Sequence, residues 1–204
     1  MSEALMITAL SELDLPNNLT LKMSEVVDRG MIDLRGLPDD KKFLSAAKKV
    51  LGFDLPRTPR SSTEQGELVC LWMSVDQWLI TCPRKQTADL HARLVEALGD
   101  THSLAVNVSD ARSIIRLEGE TVRETLMKGS SIDFTQPEFT AGTVRRMSFA
   151  EVAAMVRIVS EEPDVFELMV FRSYAHHAWD WICATAKEGS GVSFLGARES
   201  PATV

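Results

Sequence analysis

Apolar and polar positions along this chain fall into recognisable periods from Met31 to about Lys187, and into none before or after. Residues 1–30 carry many apolar side chains without a helical or strand period, and Asp14-Leu-Pro-Asn-Asn18 reads as a turn. Met31–Arg35 reads as a short strand closed by Gly36. Asp39–Leu51 reads as a helix, with Phe43, Leu44, Ala46, Ala47, Val50 and Leu51 on one face. Acidic residues at its start, Lys48 and Lys49 near its end and Gly52 beyond complement the helix dipole and supply a stop. Pro56, Pro59 and Gly66 make 53–66 a loop, and strands are predicted over Glu67–Met73 and Trp78–Cys82. A helix from about Gln86 to Leu98 and a strand over Leu104–Val108 complete a β-α-β-β-α-β order, the ferredoxin-like plan.

The pattern then runs through a second, related order. Arg112–Leu117 reads as a strand and Glu120–Lys128 as a short helix stopped by Gly129. After a loop over 130–142, strands are predicted at Thr143–Phe149, Val152–Val159 and Val165–Phe171. Ser173 is placed to cap a last helix reaching about Lys187. The fold class is therefore α+β: two ferredoxin-like α/β sandwiches, 31–110 and 111–187, whose open faces must be buried, most simply against each other. Residues 1–30 read as an N-terminal arm that orders on a partner, and 188–204 as a flexible tail. The order of elements repeats, but the sequence itself does not.

Composition narrows the partners. The chain has 204 residues, 45% of them hydrophobic, and a net charge of −7. Neither half is basic, which argues against nucleic acid or an anionic membrane as main partner. The longest apolar run, Leu68–Met73, is far short of the roughly 20 residues that span a bilayer. The N-terminal stretch is acidic and does not read as a signal peptide. Cys70, Cys82 and Cys183 form no CxxC pair and fit free thiols in a reducing cytoplasm.

Candidate chemistry is sparse. His176 and His177 are adjacent on a helix and diverge by about 100°, unlike a metal-binding i, i+4 pair; His91 and His102 stand alone. Gly189–Gly196 follows a helix and lacks the Gly-Lys-Ser/Thr ending of a phosphate loop. No Gly-x-Ser-x-Gly is present, and nothing near Cys82 in sequence would activate it. Arg145 and Arg146 should point to opposite faces of a strand, and the four tryptophans read as core or interface. On the residues alone, no catalytic, cofactor-binding or metal site is assigned, and the chain reads as a binding or assembly protein.

Several segments together carry a resemblance. Val108–Gly119, Val122–Leu126 and Ile132-Asp-Phe134 resemble the gamma subunit of heterotetrameric sarcosine oxidase. So do Arg29-Gly30, Phe43–Pro56, Asp76–Leu79, Phe139-x-x-Gly142, Arg172–Ala175 and Trp179–Trp181. The resemblance implies a small relative of the folate-binding aminomethyltransferase fold, as in the glycine cleavage T protein. It implies partnership with alpha, beta and delta subunits in a cytoplasmic enzyme. That enzyme demethylates sarcosine to glycine, reduces oxygen to hydrogen peroxide and can pass the one-carbon unit to tetrahydrofolate. FAD, FMN, NAD and the folate site would belong to the alpha and beta subunits and zinc to delta, with none bound by this chain. Folate-dependent relatives carry an acidic pair on a strand after a turn; the corresponding Phe149–Arg157 offers only Glu151. A standalone folate-binding one-carbon-transfer protein and a plain ferredoxin-like interaction domain stand as alternatives.

Overall fold

The computed structural model of the chain describes residues 7–192. It contains ten strands and four helices in these residues. The first sheet is built from β2 (Arg29–Gly36), β3 (Ser62–Gln65), β4 (Leu68–Ser74), β5 (Gln77–Pro83) and β6 (Ser103–Asn107), in the order β3-β4-β5-β2-β6. Helices α1 (Lys41–Leu51) and α2 (Thr87–Leu98) cover one face. The second sheet has the order β1-β7-β10-β9-β8. Its strands are β1 (Lys22–Glu25), β7 (Arg112–Glu118), β8 (Val144–Phe149), β9 (Val152–Glu161) and β10 (Asp164–Phe171). Helices α3 (Val122–Lys128) and α4 (Ala175–Thr185) cover its outer face.

Local chemistry accounts for the elements. The Asp40 carboxylate accepts hydrogen bonds from the Lys42 and Phe43 backbone N–H groups and so caps α1, which starts there and not at Asp39. Gly52 ends α1 in the left-handed conformation, φ 87°, as its position suggested. Phe43, Ala47 and Leu51 of α1 pack with Leu90, Leu94 and Leu98 of α2 on Ile32, Leu34, Cys70, Trp78 and Ile80. Gly36 lets β2 pass under Phe43, because a Cβ there would lie 2.4 Å from the phenyl ring.

The two sheets face each other, giving four layers, α-β-β-α. Met31, Val69, Leu71, Met73 and Leu79 of the first sheet form one buried cluster with Ile114, Val144, Met155 and Met169 of the second. The edges β3 and β8 meet at one corner. There the Ser62 N–H and hydroxyl both donate to the Gly142 carbonyl, and the Val144 N–H donates to Arg60.

The structure corrects the reading of the first 30 residues. They include β1, which pairs antiparallel with β7 as the fifth strand of the second sheet. Leu10, Leu21 and Met23 are buried in that lobe's core. Leu5 and Met6 lie outside the described residues. The tail is corrected in part. Residues 188–192 are docked: the Glu188 N–H donates to the Asn18 carbonyl and the Val192 N–H to Glu124. The remainder, 193–204, lies outside the described residues. Within the predicted loop 53–66, β3 forms a short edge strand. Ser173 does not cap α4; it sits in a 3-10 turn, Arg172–Tyr174, that leads into the helix without a side-chain cap.

The lobes are related through their backbones. Val26 donates to Ile114 and Val108 to Met31, both at 2.9 Å, as each edge strand hands the chain to the opposite sheet. Arg84 donates to Asp28, and Arg172 to Ala111, where β5 turns into α2 and β10 into α4. Following the ladders from these anchors, Arg29 corresponds to Arg112, Leu79 to Glu167 and Leu71 to Arg157. The fourth ferredoxin-like position is filled by β6 in the first lobe and by β1, from the start of the chain, in the second.

Candidate functional surfaces

Three of the four histidines serve the fold. His176 Nε2 lies 2.6 Å from the Ala9 carbonyl and His177 Nε2 2.8 Å from the Ala150 carbonyl, so the two rings meet different segments. His91 bonds the Ala105 carbonyl of β6 at 3.0 Å. Among the described residues no group of three or more His, Cys, Asp or Glu side chains could hold a metal ion. The three thiols are buried. Burial pushes the Cys70 thiol far above its usual range and also raises Cys82 and Cys183. A raised pKa leaves little thiolate, so none is poised as a nucleophile. Trp78 is a core residue whose indole donates to the Pro56 carbonyl at 2.8 Å, and Trp179 packs in the second core. Arg145 and Arg146 do point to opposite faces, and Arg146 reaches the Met73 carbonyl of the other sheet at 3.4 Å.

Two surfaces stand out. The first is the free edge of the first sheet. Leu104 and Val106 of β6 alternate with Ala105, which packs inward, and are 49% and 39% exposed. Leu37 is 56% exposed. It shares a shallow cleft of ≈ 360 Å³ with Leu104, His102 and the Arg35–Asp76 ion pair. The corresponding positions of β1 are Lys22 and Ser24. One edge is polar and the related edge is apolar.

The second is a charged cleft of ≈ 320 Å³ between the sheets, which reading the sequence did not single out. Glu167, 4% exposed, lies on β10 opposite Arg157 of β9, 5% exposed, and Arg116 of β7. Its carboxylate oxygens lie 3.5 Å from Arg157 and 3.6 Å from Arg29, which comes from the other sheet. Arg157 also pairs with Glu64 on β3. The signal was present: Arg157 and Glu167 each interrupt an otherwise apolar strand, in Ala-Ala-Met-Val-Arg-Ile-Val and Val-Phe-Glu-Leu-Met-Val.

A family model described as "Sarcosine oxidase, gamma subunit family" matches residues 35–188. The chain belongs to that family. A curated sarcosine oxidase subunit gamma from Corynebacterium sp. (strain P-1) is 24% identical over 171 residues, covering 83% of this chain and 81% of its own. A chain of the heterotetrameric sarcosine oxidase from Corynebacterium sp. U-96 shares the fold with TM-score 0.82 and 19% identity. That match covers 92% of this chain and 98% of that one. The glycine cleavage aminomethyltransferase T of Bartonella henselae shares it with TM-score 0.59 and 13% identity, over 81% of this chain and 46% of its own. The gamma-subunit fold is thus the α+β double sandwich that the resemblance implied.

A pterin needs a carboxylate aimed into an enclosed pocket. In this member of the gamma family Glu151 is exposed on the β8–β9 turn with φ 69°, beside an open dish lined by Phe171 and Tyr174. The residues present do not fit folate there. Among the described residues no helix is long and apolar enough to cross a membrane.

Proposed function

We propose that this chain is a non-catalytic gamma subunit that supports assembly of a sarcosine oxidase complex. The complex would join it to alpha, beta and delta subunits in the cytoplasm. The whole enzyme would demethylate sarcosine to glycine, yield hydrogen peroxide and pass the one-carbon unit to tetrahydrofolate, with FAD, FMN, NAD, folate and zinc held by the other subunits. The family match over 154 residues, 35–188, carries this reading. The lack of a convergent acid, base or nucleophile among the described residues supports the non-catalytic part, since candidate histidines and thiols are spent on backbone contacts or buried.

The apolar edge of β6 supports a contact with another subunit. An exposed edge strand invites pairing and is usually protected by charge, as the related β1 is by Lys22. In an assembly, Leu104, Val106 and Leu37 would be covered, and the open backbone of β6 would meet a strand of the neighbour. Leu104→Lys with Val106→Glu is expected to leave the isolated chain folded and to prevent co-purification with the other subunits. Wild-type recovery of the complex at equal stoichiometry would exclude β6 as the contact. A complex that forms without this chain and keeps full turnover and thermal stability would overturn the assembly role.

A further inference from the structure

We propose that the charged cleft between the sheets binds a small zwitterion, an α-amino acid with little or no side chain. The fold does not require the Glu167–Arg157 pair. At the corresponding place in the first lobe, Leu79 and Leu71 occupy the positions of Glu167 and Arg157 and are fully buried in the inter-sheet cluster. A buried ion pair is commonly no more stabilising than apolar residues of similar volume, so the Arg157–Glu167 pair, retained in one lobe and replaced by leucines in the other, points to a use besides stability.

The charges are also incompletely matched. Among the described residues, the Glu167 carboxylate accepts no hydrogen bond, and its two guanidinium neighbours stand off at 3.5 and 3.6 Å. The Arg157 Nε is buried without a partner. Arg116, directly opposite Glu167 on the neighbouring strand, makes no side-chain hydrogen bond or ion pair among the described residues. Buried polar groups left in this state are costly unless a further group completes them.

The lining selects the ligand. Arg29, Arg116 and Arg157 face Asp28, Glu64, Glu67 and Glu167, so both signs are present and the cleft has no excess positive charge. A lone anion would meet carboxylates, and a lone cation would meet guanidinium groups. A zwitterion satisfies both, with its carboxylate on Arg29 and Arg116 and its ammonium toward Glu64 and Glu167. Guanidinium groups favour carboxylate by paired, charge-assisted hydrogen bonds. The volume of ≈ 320 Å³ admits such a molecule together with water, and Val69 and Val159 leave an apolar wall for a small side chain.

Isothermal titration of the full chain with glycine, acetate and methylammonium tests this without any partner subunit, so the outcome is separate from that of the assembly reading. Glycine is expected to bind saturably, and acetate and methylammonium about tenfold more weakly or less. Arg116→Gln should weaken glycine about tenfold or more, the usual effect of losing a charged hydrogen bond. The double variant Arg157→Leu, Glu167→Leu copies the other lobe. It should abolish glycine binding while keeping cooperative unfolding at an equal or higher midpoint. No saturable glycine binding by the natural chain overturns the proposal. Acetate bound as tightly as glycine, or glycine binding unchanged in both variants, overturns it too.

Discussion

Arg123 shows how much one side chain can hold in this molecule. From α3 it donates to both Asp164 oxygens at 2.9 Å and to the carbonyls of Phe134 and Phe139 at 2.6 and 3.1 Å. Its guanidinium also lies 5.3 Å over the Phe166 ring. One cation thereby ties α3, the 130–142 loop and the start of β10 together, and the Phe134 and Phe139 rings pack at a tilt with centroids 5.0 Å apart. Removing it strands a largely buried carboxylate and two carbonyls. Arg123→Ala is therefore expected to cost about 3–5 kcal/mol of stability. Arg123→Lys should recover only part of this, because an ammonium cannot make the paired contact with Asp164. Denaturant unfolding of the three proteins measures both. A loss below about 1 kcal/mol for the alanine variant would show that the network is solvated and weak.

At the scale of elements, periodicity was a good guide wherever an element buries a face of its own. The helices, and the strands from β4 to β10 with β2, lie within a few residues of where their apolar spacing put them. It failed where pairing is supplied by a distant segment. Residues 22–25, Lys-Met-Ser-Glu, have too few apolar positions to announce a strand, and Met23 is buried only because β7 lies beside it. Ser62–Gln65 is wholly polar and becomes β3 through β4 and the adjoining bridge of Ser61 to Thr143. Tertiary pairing overrides weak local propensity in both. The charged cleft needed the same long-range information, since Arg29, Glu64, Arg116, Arg157 and Glu167 converge only once the two sheets are stacked.

The docked tail gives an element-scale expectation for pH. The Glu124 carboxyl is held below its ordinary value of 4.5, first by the Val192 N–H and then by Lys128. A carboxyl with a depressed folded pKa contributes above its ordinary value and loses that contribution as pH falls through the folded one. Residues 188–192 should therefore be docked at pH 7 and loosen well below pH 4.5, while α3 itself persists. Amide exchange at Val192 checks this. Protection that is unchanged at low pH, or equal in Glu124→Gln at pH 7, would assign the docking to Lys128 and Ser190 instead.

At the scale of the whole molecule, β1 is the strand that closes the second sheet while the chain around it leads into the first. Deleting residues 1–28 should remove Leu21 and Met23 from the second core and expose the β7 edge. It is expected to lower the thermal midpoint by more than about 10 °C, since each kcal/mol moves a domain of this size by roughly 2–4 °C. In limited proteolysis of the isolated chain, residues 19–28 should resist cleavage as well as the sheet they join; rapid cutting there would restore the view of a partner-dependent arm.

That strand also governs when the protein can fold. Lys22 and Glu118, paired across β1 and β7, are 96 positions apart. A ribosome completes β1 long before it makes the strand that β1 binds. The nascent N-terminal half cannot bury itself as a unit, because β1 waits for its unfinished neighbour and the inner face of the first sheet, with Met31, Val69, Leu71, Met73 and Leu79, stays uncovered until the second sheet is made. Such long-range closure slows folding. It also couples the lobes: melting either sheet uncovers the apolar inner face of the other. Two stacked sandwiches would ordinarily unfold in two steps, whereas calorimetry of this chain should give one transition, and a fragment ending at Asp110 should have none.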